Sequence, residues 1–81
     1  MTLTPPLNQL KKLISDTLGI EINQLQDNAD FIADLNTDPL ELKDLLNQIE
    51  NNFSIKLENP DDITTFADLT KQFKQALDET L

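Results

Sequence analysis

The sequence predicts an all-α fold, a small four-helix bundle with three long helices, a short third helix and a long loop between helices one and two. Two observations predict it. Apolar residues return at spacings of three and four in three separate stretches, which is the period of a helix with one buried face. Helix starts are also marked by a capping residue followed by proline or by an acid in the first turn. No stretch alternates strongly enough to predict a sheet. At 81 residues the chain is expected to form one domain, 1–81, near the size at which a single apolar core only just offsets chain entropy.

The first helix opens at Thr4-Pro5-Pro6, a hydroxyl at the cap followed by proline where a missing N–H costs nothing. Leu7, Leu10, Leu13, Ile14 and Leu18 form its apolar stripe, and Gly19 stands where a helix ends in the left-handed conformation. The helix is therefore expected from about Pro5 to Leu18. From Ile20 to Thr37 the period breaks, and Ile20, Ile22, Leu25, Phe31, Ile32 and Leu35 are expected to anchor a long loop to the core. A loop of that length is uncommon unless it is functional or carries short helical turns.

Helix two begins at Asp38-Pro39, with Glu41 at the third helical position, where its carboxylate reaches back to the cap's own N–H. Leu42, Leu45, Leu46, Ile49 and Phe53 make its stripe, Leu40 adds to one edge, and the helix spans about 39–52. Asn59 followed by Pro60-Asp61-Asp62 predicts a second cap and a short third helix, cut off by Ile63 and the two threonines. Thr65 caps the last helix with Asp68 three residues on, and Phe66, Leu69, Phe73, Ala76 and Leu77 form its buried face.

Composition excludes several chemistries. The chain has no cysteine and no histidine, so a disulfide framework, a thiolate zinc site and histidine acid/base catalysis are not expected. No apolar run approaches the roughly 20 residues of a membrane span, and no signal peptide is predicted, so a cytoplasmic location is expected. The net charge is −9, and residues 27–62 carry ten acids against Lys43 and Lys56. That concentration disfavours nucleic acid and anionic membrane surfaces and favours a basic patch on a protein partner. An acidic excess also serves simply to keep a small protein in solution.

Several blocks then fall in a recognisable order: Leu10-Lys11-Lys12-Leu13-Ile14, Leu18-Gly19-Ile20, Asp27-Asn28-Ala29-Asp30-Phe31-Ile32-Ala33-Asp34-Leu35, Asp38-Pro39-Leu40, Ile49-Glu50-Asn51-Asn52-Phe53 with Ile55, and Ile63-Thr64-Thr65 with Leu69. This series resembles the acyl carrier protein family over almost the whole chain. The resemblance implies a bundle of three long helices around an apolar interior, with a short third helix packed across them. It also implies a serine at the start of helix two, which accepts phosphopantetheine from coenzyme A, and an acidic helix two that meets basic patches on acyl-handling enzymes.

In this chain Pro39 occupies the place of that serine, and proline has no hydroxyl oxygen with which to attack the coenzyme A pyrophosphate. No phosphopantetheine is therefore expected at the usual position. Asn36 stands where the family usually has glycine, a mild change because Asn tolerates left-handed geometry. The resemblance makes Asp38, Leu40, Glu41, Asp44 and Glu50 the candidate partner-binding residues, whereas Asn51 and Asn52 replace residues that are often acidic. The same acids also suit a solvated helix surface with favourable charges in its first turn.

Other sites carry less. Asp34, Asn36 and Asp38 match the first ligands of a calcium-binding loop, but Pro39 stands where glycine is required and Leu45 where the closing Glu belongs, so no metal site is expected. Thr37 and Ser54 are the hydroxyls nearest to a substitute for the missing serine. No nucleophile, base or phosphate-binding glycine loop accompanies the carboxylates, so an enzyme is not expected. Three readings stay open: a monomeric, non-carrying interaction member linked to fatty-acid or related acyl metabolism, a true carrier modified by an unusual route or at another hydroxyl, and a drifted domain without a present role.

Overall fold

The computed structural model describes residues 6–80. Its elements are helix α1 (Pro6–Leu18), a 3-10 turn at Ile22–Gln24, helix α2 (Pro39–Phe53), a 3-10 turn at Pro60–Asp62 and helix α3 (Phe66–Thr80). The expected cap at Thr4-Pro5 lies outside the described residues. Three α-helices surround the core, as expected, but the predicted short third helix is a single 3-10 turn. Its expected cap also differs: the Asn59 side chain makes no capping bond. Instead Asn59 donates its backbone N–H to Gln72 Oε1 at 3.0 Å, and Gln72 Nε2 donates to the Asn59 carbonyl at 2.7 Å, which ties the turn to α3.

Each helix end follows from local chemistry. Helix α1 stops at Gly19, whose φ of +67° is open to a residue without Cβ, and Ile20 N–H returns to the Ser15 carbonyl at 3.1 Å. Helix α2 runs one residue beyond the expected end and closes on Ser54, in the left-handed conformation with φ 55°. Helix α3 opens on a reciprocal box: Thr65 Oγ1 accepts the Asp68 N–H at 3.2 Å, and Asp68 Oδ2 accepts the Thr65 N–H at 3.1 Å.

The core is aliphatic and phenylalanine-rich. Leu10 and Ile14 of α1, Leu45 and Ile49 of α2, and Phe66, Leu69 and Phe73 of α3 are fully buried together with Phe31 from the loop. Phe53 is half-buried and meets Phe73 edge-on, with ring centroids 4.9 Å apart and planes at 83°. Leu25, Phe31 and Leu35 anchor the loop as expected. Two of its predicted anchors do not: Ile22 is 48% and Ile32 46% exposed. Their backbone positions turn them outward, since the loop is stitched by its own hydrogen bonds and not by a continuous apolar face.

That stitching explains the block Asp30 to Leu35. Asp30 Oδ1 accepts the N–H groups of Ile32 and Ala33 at 2.9 and 2.8 Å, and Asp34 Oδ2 accepts the Asp30 N–H at 2.8 Å. The loop is also joined to the entry of α3. Phe31 N–H reaches the Thr64 carbonyl, Phe66 N–H the Ala29 carbonyl and Ala67 N–H the Asp27 carbonyl, each at 2.9 Å. Asn36 takes φ 56°, the left-handed geometry expected of that position. These contacts carry the chain to Thr37 and so fix where α2 begins.

Candidate functional site: the start of helix two and the groove beside it

Asp38, Pro39 and Glu41 form a complete helix start. Asp38 has extended backbone geometry, its Oδ1 accepts the Glu41 N–H at 2.8 Å, and its own N–H reaches Glu41 Oε1 at 3.4 Å. Pro39 is the first helical residue and is exposed. A residue in this place has its side chain open to solvent at the positive end of the helix dipole.

The neighbouring hydroxyls are placed very differently. Thr37 is only 3% exposed, and its Oγ1 has no hydrogen-bond partner. Ser54 is exposed but lies at the other end of α2, 15 residues along the helix from Pro39, or roughly 22 Å at 1.5 Å per residue.

The five candidate partner-binding residues do not share one face. Glu41 and Glu50 are nine residues apart, about two and a half helical turns, so they project from opposite sides of α2. Leu40 and Asp44 lie on one outward stripe with Asn47 and Asn51, at spacings of three and four. Leu40 was expected to extend the apolar stripe; it is instead 69% exposed, because the buried face is carried by Leu42, Leu45, Leu46 and Ile49. Glu50 is half-buried, and its Oε2 accepts the Leu57 N–H at 2.8 Å, so it holds the chain that leaves the helix. Sequence spacing gives no sign of this bond, since it joins a helical side chain to an irregular backbone seven residues on.

Beside Pro39 the surface opens into a groove of about 320 Å³. Its walls are Ile32, Pro39, Leu42, Leu46 and Ile63, with Lys43, Glu50 and Asp61 supplying the charges. Periodicity missed it, because a groove between a helix and a 3-10 turn depends on how the two elements pack. Among the described residues no group of three or more acids is placed to hold a metal ion, and the Asp34 and Asp38 carboxylates instead accept backbone N–H groups. No helix among them is long and apolar enough to cross a membrane.

Comparison with known proteins agrees with this architecture. The family described as "Phosphopantetheine attachment site" matches residues 8–73, from within α1 into α3. This chain belongs to that family. An acyl carrier protein of Thermotoga maritima is 32% identical over 72 residues, spanning 86% of this chain and 89% of its own length. The acyl carrier protein of Chlamydia caviae is 30% identical over 69 residues, spanning 83% and 90%. That of Chlamydia felis is 33% identical over 54 residues, spanning 67% and 69%. Acyl carrier proteins of this family are not enzymes themselves.

Proposed function

We propose that this chain is a cytoplasmic carrier-type protein that bears no phosphopantetheine and acts as an interaction module in fatty-acid or related acyl metabolism. The observation that carries the reading is the residue at the start of α2. Pro39 fills the exposed first helical position, immediately after the Asp38 cap, where the resemblance puts the attachment serine. A proline nitrogen within an amide has no proton to give and no lone pair available for attack on phosphorus.

Thr37 and Ser54, the two hydroxyls that the sequence offers as substitutes, are poorly placed for the role. A transferase would need Thr37 Oγ1 in solvent, whereas that residue is 3% exposed. Ser54 is exposed but sits at the C-terminal end of α2, the opposite end of the helix from Pro39. Support for an interaction role comes from the exposed Asp38, Leu40, Glu41 and Asp44 at the start of α2 and from a region of high negative charge that suits a basic patch on an acyl-handling enzyme; Glu50, half-buried on the other side of the helix, supports it less.

Mass spectrometry of the protein from its native cells tests the reading. The expected mass is that of the bare chain; a covalent adduct of a few hundred daltons, released as pantetheine, would overturn it. A companion measurement uses the Pro39→Ser variant with coenzyme A and a phosphopantetheinyl transferase. The variant is expected to gain the arm while the parent stays unmodified.

A further inference from the structure

We propose that the amine of Lys43 is a covalent acyl acceptor, taking a medium-length acyl group directly from a thioester as an amide whose chain lies along the groove beside Pro39. This rests on the reading above, because acyl metabolism is what brings thioesters to the protein; the attachment itself needs no prosthetic arm.

Placement comes first. Of the six lysines, Lys43 is the one that lines the groove, one helical turn beyond Pro39. Its side chain is exposed, and no hydrogen bond or ion pair with another described residue holds the amine. The remaining lysines have no such surface beside them. Lys11 Nζ lies over the Phe66 ring, 5.8 Å from its centroid, and Lys12, Lys56, Lys71 and Lys74 are exposed outside the groove lining.

The apolar wall selects the donor. Ile32, Leu42, Leu46 and Ile63 stand beside Lys43 in a groove of about 320 Å³, at the low end of the roughly 300–1,000 Å³ typical of ligand sites. Methylene groups buried there hold the thioester carbonyl near Nζ and turn an encounter between two molecules into a reaction within one complex. An acetyl group has almost nothing to bury and gains no such advantage.

The step is an acyl transfer without redox change. Lys43 Nζ, in its uncharged form, attacks the thioester carbonyl carbon; the N–C bond forms, the C–S bond breaks, and the sulfur leaves with the electron pair and takes up the proton that the nitrogen sheds. The product amide is neutral, so the groove keeps Glu50 and Asp61 without their cation and becomes more negative. Transfer to a lysine without an enzyme is slow, and the bare chain stays the main species.

Peptide mapping by mass spectrometry decides the matter, after the full chain is incubated with octanoyl-coenzyme A or, in parallel, acetyl-coenzyme A at mildly alkaline pH. Lys43 is expected to take the octanoyl group about tenfold faster than Lys12, Lys56, Lys71 and Lys74, and to show no preference with acetyl. Lys43→Arg is expected to reduce octanoylation to that of the other lysines. Ile32→Asn, a change at an exposed part of the wall, is expected to lower the Lys43 preference several-fold, and unfolding in urea to abolish it. The proposal fails if octanoyl spreads evenly over the lysines, if acetyl picks out Lys43 as strongly, or if the preference survives Ile32→Asn or urea. Each of these outcomes leaves the arm-free reading standing, since that reading rests on Pro39. Pantetheine found on the native protein would instead remove that reading and leave the Lys43 measurement intact.

Discussion

Thr64 gives both its backbone N–H and its hydroxyl to one oxygen of Asp68, Oδ2, at 3.1 and 3.0 Å. The Thr65 N–H joins them at 3.1 Å. These donors hold the Asp68 carboxyl below its ordinary value of 3.8: the Thr65 N–H contributes most, followed by the N–H and hydroxyl of Thr64, while partial burial opposes them. A depressed folded value means that the stabilisation is fully present above the unfolded pKa and is lost as pH falls through the lowered folded one. Asp68→Asn is therefore expected to be less stable than the parent at neutral pH, with the gap closing as pH drops well below 3.8. Urea denaturation across that range checks it, and a gap independent of pH would refute the assignment.

The box at the start of α2 separates capping from charge. Asp38→Ala removes the acceptor of the Glu41 N–H and is expected to cost about 1 kcal/mol. Glu41→Gln keeps an oxygen for the Asp38 N–H and is expected to leave the denaturation midpoint nearly unchanged. A large loss of stability on Glu41→Gln would show that its charge supports the fold.

Thr37 carries a buried hydroxyl without a hydrogen-bond partner. Leaving a buried donor without a partner costs about 1–3 kcal/mol, and valine has nearly the same shape. Thr37→Val is thus expected to be neutral or stabilising by up to about 1 kcal/mol. A clear loss of stability in denaturant titration would mean that the hydroxyl has a partner.

Ser54 adopts φ 55° at the end of α2. Glycine enters this region without the steric cost that a Cβ brings, so Ser54→Gly is expected to raise stability by roughly 0.5–1 kcal/mol. A lower thermal midpoint would count against this account of the helix end.

Glu50 contributes to the fold as well as to surface charge. Glu50→Ala strands the Leu57 N–H and is expected to cost about 1 kcal/mol, with slower-exchanging amides around residues 55–57 becoming faster in hydrogen exchange. Charge reversal aimed at a docking face is consequently read most cleanly at exposed Asp44, because Glu41 also accepts the Asp38 N–H in the helix cap. Unchanged hydrogen exchange in Glu50→Ala would release Glu50 for that set.

Legibility in the sequence followed the range of the interaction. Asp38-Pro39 with Glu41, Thr65 with Asp68, and Gly19 were readable because caps and stops act within three or four residues of themselves. The stripes of α1, α2 and α3 were readable because burial imposes the helical period. The short third helix was overestimated: its proline and acids mark a beginning, but Ile63 turns to the core and the segment closes after one 3-10 turn. Leu40 faces solvent although a hydrophobic residue beside a stripe reads as its edge. The Glu50–Leu57 bond, the burial of Thr37 and the groove beside Pro39 were invisible, because each depends on where an irregular backbone crosses a helix.

The backbone crossings between residues 27–31 and 64–67 set a rule for how the native state comes apart. Breathing motions that release the long loop from its seat also strip the Phe66 and Ala67 N–H groups, at the start of α3, of their acceptors, since a helix gives its first amides no partner of its own. Opening of the loop that delivers the chain to Pro39 is thereby coupled to exposure of the α3 entry.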